Sequence, residues 1–292
     1  MVGKMLKRST RTASQLIGPA GMARLERAHM ELIPLNNLDR EAPALPAGTT
    51  TTLTCSPVKG IDHSLAAAEK LLEAGLEVIP HLAAHMVTSQ AHLEKIVAWL
   101  GEHGVTRAFV IGGDAQDVGG PFHDAGQLID ALIAAQAPLT HIGIGGYPDG
   151  HPAIPNEALA EALVTKQGTL DAAGIGGWIS TQMCFDTAVI TGWASGIRQA
   201  GVHLPIHLGI PGVVDRTKLL TVGVKVGIGA SLRYLKKNAA AMGKMASGGY
   251  DPAQLLGPLE DALDPLNIDG LHMFTFNAVT ATEAWRQLVL NR

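Results

Sequence analysis

The sequence predicts a single (β/α)8 TIM barrel with an elaborated segment between strands 7 and 8. Three observations carry that fold class. Short β-like runs recur along the chain with helical stretches between them, the pattern of repeated strand–helix units around a parallel sheet. Hydrophobic residues make up 47% and charged residues 16% of 292 residues, enough for a large core and too apolar for disorder. Glycine is abundant at 34, while 4 Trp, 3 Tyr and 5 Phe are few, which suits aliphatic strands joined by many turns rather than a β-sandwich.

Taken in order, the expected strands are Met30–Ile33, Thr51–Thr54, Glu77–Pro80, Arg107–Ile111, Thr140–Gly143, Gly177–Thr181, Pro205–Gly209 and Gly270–Thr275. Each is a short apolar or β-branched run bounded by turn residues. The expected helices are Ser64–Ala74, Gln90–His103, Asp124–Ala135, Asn156–Ala172, Asp186–Ala200 and Thr280–Leu290, where apolar residues return at helical spacing. An open doubly wound sheet is the competing arrangement. It would carry GxGxxG after its first strand, and neither Gly143-Ile-Gly145-Gly146 nor Gly174-Ile-Gly176-Gly177 has that spacing. The stretch 223–256, with six glycines around Arg233-Tyr-Leu-Lys236-Lys237, reads as a loop-and-helix insertion before strand 8.

Residues 1–28 form a basic leader, loosely ordered or packed on the barrel, with six Lys or Arg against Glu26; residues 29–292 are the catalytic barrel. The leader lacks aromatics for base stacking, so no nucleic-acid partner is expected. No apolar run reaches the length of a membrane span or a secretory signal. Two cysteines, Cys55 and Cys184, in no CxxC pair point to a reducing compartment, and the cytoplasm is the expected location.

In such a barrel the chemistry gathers at the carboxyl ends of the strands. There the sequence places Glu31, Thr54, His81, Asp114, Tyr147, Asp149, His151, Gln182, His272 and Asn277. Glu31 lies in the apolar run Met30–Pro34, where burial disfavours its charge and suits a general acid; a barrel-end salt bridge is the plain alternative. Asp114 follows Ile111-Gly-Gly and is either a ligand-facing carboxylate or a turn cap. Gln182 could read a ring edge or be a satisfied buried amide. His81 and His85 have i,i+4 spacing, but no HExxH accompanies them and no metal is assigned. No P-loop pattern is present.

In order along the chain stand Glu31-Leu-Ile-Pro34, Leu53-Thr54, Pro80-His-Leu82, Ile111-Gly-Gly-Asp114, Tyr147-Pro-Asp-Gly-His-Pro152, Thr181-Gln-Met-Cys-Phe-Asp186, Gly209-Ile-Pro and Leu271-His-Met-Phe-Thr-Phe-Asn277. Together they resemble the methylenetetrahydrofolate reductase family over about residues 30–280. The resemblance implies an oxidoreductase of one-carbon metabolism that interconverts 5,10-methylene- and 5-methyl-tetrahydrofolate, with hydride from NADH or NADPH passing through FAD. It implies Glu31 as the general acid and Asp114 beside the flavin and pterin, stabilising the cationic intermediate. Gln182, Lys218 and Asn277 would then meet the folate, and Thr54, His81, Asp114, Tyr147, His151 and Lys166 the flavin.

The departures from the family pattern fall on the ribose–phosphate side of that cofactor. Gly112 replaces an arginine, and Leu159, Ala162 and Thr165 replace polar or basic residues near Lys166, so FAD binding is expected to be reversible. A flavin-independent reductase and a folate-binding methyltransferase barrel are the alternatives. Ala278 stands where an arginine for the folate glutamate is expected, which turns attention to Lys218. Helices such as Asp124–Ala135 are apolar enough to leave a homo-oligomer open.

Overall fold

A computed structural model describes residues 16–56, 58–113, 119–214, 219 and 250–291. Eight parallel strands close into a barrel in sequence order: β1 (His29–Leu32), β2 (Thr50–Leu53), β3 (Glu77–Ala83), β4 (Arg107–Ile111), β5 (His141–Gly146), β6 (Gly176–Thr181), β7 (Ile206–Pro211) and β8 (Ile268–Phe274). The last strand pairs with the first, His29 opposite His272 and Glu31 opposite Phe274. The expected barrel is therefore the observed one.

Three strands run further at their carboxyl ends than the sequence suggested, β7 by Ile210 and Pro211. Strand β5 continues through Gly145 and Gly146, past the expected end at Gly143. The glycines serve packing inside the sheet: a Cβ on Gly143 would lie 2.4 Å from the Trp178 ring and 2.8 Å from Phe109. Strand β3 continues past Pro80 to Ala83, carrying His81 onto regular backbone.

The helices lie outside the strands, and most of the core fills the layer between them, with residues such as Leu32, Leu82, Val110, Ile144, Leu208 and Leu271 fully buried. A smaller cluster of Ile79, Phe109 and Trp178 plugs the lumen. Side-chain oxygens cap three of the described helices, Ser89 capping Gln90–Glu102 by accepting from His92. Asp124 caps Ala125–Ala134 by accepting from Gln127, and Asp186 caps Thr187–Gln199 by accepting from Ala188 and Val189.

Three of the described α-helices escaped the sequence reading, the single turn Leu38–Glu41 among them. Ala253–Leu263 contains Pro258 and borders the glycine-rich stretch, both of which argue against a helix locally. Pro19–Glu26 is only 8 residues long and packs on it. The contact is specific. Glu260 accepts from the backbone N–H of Gly18, Ala20 and Gly21 at 3.1, 2.7 and 2.9 Å, placing an anion on the N-terminus of the short helix. At the other end of that helix, Arg286 donates to the carbonyls of Leu25 and Glu26 while held by Glu283 at 2.7 and 3.0 Å. The part of the leader from residue 16 onward is thus tied to the barrel. Most of the expected 223–256 insertion lies outside the described residues.

Candidate active site

Glu31 is the third residue of β1 and, in register opposite Thr52 and Phe274, stands near the carboxyl end of the strand. It is 7% exposed. Nε2 of His272, on β8, lies 2.9 Å from its Oε2, and that imidazole is 2% exposed. A carboxylate inside a barrel must be protonated or bonded, and here it is bonded. The plain alternative raised by the sequence, a barrel-end ion pair, is met by a histidine rather than by a permanently charged partner.

The backbone around the pair is stitched. Thr275 Oγ1 donates to the Glu31 carbonyl. Asn277 accepts from the Ile33 N–H at 2.8 Å, donates to the Ile33 carbonyl at 2.8 Å and to Asn37 Oδ1 at 3.0 Å. Its side chain thereby straps the segment after β1 to the segment after β8, and it is buried. Both Phe276 and Asn277 sit at positive φ, 49° and 55°, a turn that the strap holds in place.

Histidines line much of the lumen. His81 on β3 stacks edgewise on Phe109 at 4.8 Å and lies 6.2 Å from the His272 ring. Deeper, His29 and His207 meet at 4.4 Å beside Trp178. Burial pushes the pKa of His29 and His81 well below the usual imidazole value, with neighbouring histidines adding to the shift. His207 is lowered to about 4, mainly by burial and then by His272. These rings are neutral near pH 7.

Glu31, His81 and His272 each offer one donor atom, all within 4.8 Å of one another. That donor set is one zinc accepts. Yet Oε2 and Nε2 already bond to each other, so an ion would compete for the same lone pairs. His85, the other half of the i,i+4 pair, does not join them: its Nε2 is 2.8 Å from the carbonyl of His123.

The remaining expected site residues divide. Thr54 follows β2 and is half-buried, its N–H donating to Leu32 O at 3.0 Å. Tyr147 and His151 follow β5, with ring centroids 5.1 Å apart. Lys166 lies on the helix Asn156–Ala173; burial lowers its pKa, offset in part by the Asp124 carboxylate. Gln182 directly follows β6, where its Oε1 accepts from the Met183 N–H at 2.9 Å. Asp114 and Lys218 lie outside the described residues. The partner of Glu31 had no sequence signal beyond a histidine within an apolar strand, because 241 residues separate the two.

The family model for methylenetetrahydrofolate reductase matches residues 30–284, from β1 to the last helix. The chain belongs to the methylenetetrahydrofolate reductase family. A relative from Saccharomyces cerevisiae, methylenetetrahydrofolate reductase 2, is 35% identical over 100 residues, 34% of this chain and 16% of the yeast protein. Among solved structures, a putative lyase/mutase from Burkholderia cenocepacia has 13% identity and a TM-score of 0.47, covering 95% of this chain and 84% of that one. A putative phosphonomutase from the same species has 14% identity and a TM-score of 0.42, covering 82% and 100%. For the methylenetetrahydrofolate reductase family, the matched span includes both strands that carry the Glu31–His272 pair. Among the described residues no helix is long and apolar enough to cross a membrane.

Proposed function

We propose that this chain is an oxidoreductase interconverting 5,10-methylene- and 5-methyl-tetrahydrofolate with NADH or NADPH as the hydride source, Glu31 serving as general acid. The observation supporting this most directly is a carboxyl group buried in the barrel lumen, bonded to a histidine and near the strand ends where the ligand must sit. Reduction requires protonation of a folate nitrogen so that the five-membered ring opens to a reducible iminium. Glu31 is the acid with the burial to carry that proton to a heterocycle without losing it to bulk water. Asp114 stabilises the developing positive charge, and Gln182 meets the pterin edge. Lys218 takes the folate glutamate as an ammonium facing a carboxylate, and Asn277 steadies the segment after β1 against which the substrate packs.

The residues present fit the ring end of a flavin. Buried polar atoms that find no protein partner, His81 Nε2 and Thr52 Oγ1, line this part of the lumen, and open space lies beside Gly112 at the end of β4. Thr54, His81, Tyr147, His151 and Lys166 would hold FAD, with Asp114 beside it. When bound, FAD supplies a two-electron carrier between nicotinamide and folate. The partners are thus a tetrahydrofolate derivative and a nicotinamide, in the cytoplasm.

Glu31→Gln tests the reading, because it keeps the size and removes the transferable proton. Methylenefolate reduction is expected to fall by about 10²–10⁴-fold. Oxidation of the reduced nicotinamide by an artificial acceptor should survive in the FAD-loaded protein. Equal loss of both would make Glu31 a structural residue.

A further inference from the structure

We propose that His272 is a positioning residue for Glu31: its Nε2–H donates to Oε2, so that Oε1 carries the proton delivered at the barrel mouth. This rests on Glu31 being the general acid and adds to it the atom that acts and the group that selects it.

The contact leaves few arrangements open. His272 Nε2 and Glu31 Oε2 are 2.9 Å apart, and both side chains are buried. The other ring nitrogen, Nδ1, is also buried and has no hydrogen-bond partner. A proton on Nδ1 would be a buried N–H without an acceptor, which is among the rarest of polar orphans; a bare nitrogen is tolerated better. The tautomer that satisfies the ring is therefore neutral with its hydrogen on Nε2, aimed at Oε2. An oxygen that accepts that hydrogen is the carbonyl oxygen of the acid, and the O–H then belongs to Oε1.

The surroundings keep that arrangement. The titratable groups facing the pair are His29 on β1, His81 on β3 and His207 on β7. All three are held neutral by burial, so none places a cation beside the pair. Arg107 and Asp269 act on the lower histidines by charge alone. Phe109 and Phe274 pack on the His272 ring at 6.0 and 4.8 Å and fix its plane.

The step balances without further reactants. The Oε1–H bond breaks, its electron pair stays on the carboxylate, and an N–H bond forms on the folate. The new negative charge spreads to Oε2, where the imidazole N–H already points, and that bond is stronger to the anion than to the acid. His272 thus strengthens Glu31 as an acid without itself exchanging a proton, and water at the mouth reprotonates Oε1 after product leaves.

The experiment compares wild type, His272→Gln and His272→Phe as full chains supplied with FAD. Glutamine keeps an N–H donor, whereas phenylalanine keeps the ring packing and removes it. The alkaline limb of the turnover profile for methylenefolate reduction should move up by about one pH unit in the phenylalanine variant. Turnover on the plateau should fall at least about tenfold. Glutamine should return the limb to near its wild-type position. Isotope-edited infrared spectroscopy, without substrate, follows the protonated carboxyl band that Glu31→Gln deletes, and that band should persist to higher pH in the phenylalanine variant. Circular dichroism confirms that each variant is folded. A limb and band that stay in place with phenylalanine, or move equally with glutamine, overturn the role of His272. Should wild type reduce no methylenefolate at all, the reaction fails while the infrared arm still decides the pairing.

Discussion

His29 and His207 bring their Nδ1 atoms to 3.3 Å inside the barrel, so one ring must donate and the other must accept. Two imidazolium rings could not do this, since each would present a hydrogen to the other. Both rings have folded-state pKa values depressed by burial, His207 to about 4.

The consequence is acid lability with a defined sign. A histidine lowered in the folded state gives stability that is complete above about pH 6.5, its unfolded value. That stability drains as pH falls toward the folded value. For His207 alone the window runs from about 6.5 to about 4, and the loss is up to about 3 kcal/mol at its lower edge. Urea midpoints at pH 7.5 and pH 5 should differ clearly in wild type and much less in His207→Phe. Equal slopes in the two proteins would remove this pair as the cause.

Gly209 faces the Thr181 carbonyl so closely that a Cβ would lie 2.0 Å from its oxygen. Gly209→Ala must therefore separate β6 from β7, at a cost of about 3 kcal/mol. Gly168, with nothing within 4 Å of its Cβ position and a place inside Asn156–Ala173, is the matched control. There alanine should stabilise by about 0.5–1 kcal/mol through helix propensity. Paired chemical denaturation curves read both, and a neutral Gly209→Ala would contradict the close approach.

Glu260 satisfies three N–H groups at one helix N-terminus. Glu260→Ala should cost about 1–2 kcal/mol. It should also open the segment before β1 to limited proteolysis while the barrel stays intact. Unchanged cleavage would mean that the Arg286 clamp suffices alone.

If Thr54, His81, Tyr147, His151 and Lys166 hold FAD as proposed, the lack of a cation at Leu159, Ala162 or Thr165 should leave binding reversible, and the melting temperature should rise with FAD concentration. No shift at saturating FAD, with folate-dependent nicotinamide oxidation intact, would assign the chain to flavin-independent reduction.

The barrel was legible because its strand–helix alternation is local, and Arg107–Ile111 was read to the residue. Errors came where a residue's usual meaning was overridden by packing. Glycines 145 and 146 lie in a strand, with Ile179 and Trp193 closing on the Cβ position of Gly146. Pro258 lies inside a helix whose apolar face is held by the barrel. Glu31, His81, Gln182 and Asn277 could be picked out as polar residues at strand ends, but pairing could not. Nothing in Leu271-His-Met says that this imidazole, rather than His85, is the one that converges with His81 on Glu31. The Asn277 strap was equally hidden, since its partners Ile33 and Asn37 are ordinary residues until the ends of the sheet meet.

Closure of β8 on β1 also sets the order of events during synthesis. Glu31 emerges from the ribosome among the first strands, and His272 and Asn277 arrive only with the last one. Until then the nascent chain has a carboxylate on an unpaired sheet edge, solvated and with no donor to divide its two oxygens. An acid group of that kind has no fixed proton to give. On the proposed reading, the reactive centre is therefore assembled by the same hydrogen-bonded seam that completes the barrel, and a chain stalled before β8 should be chemically silent.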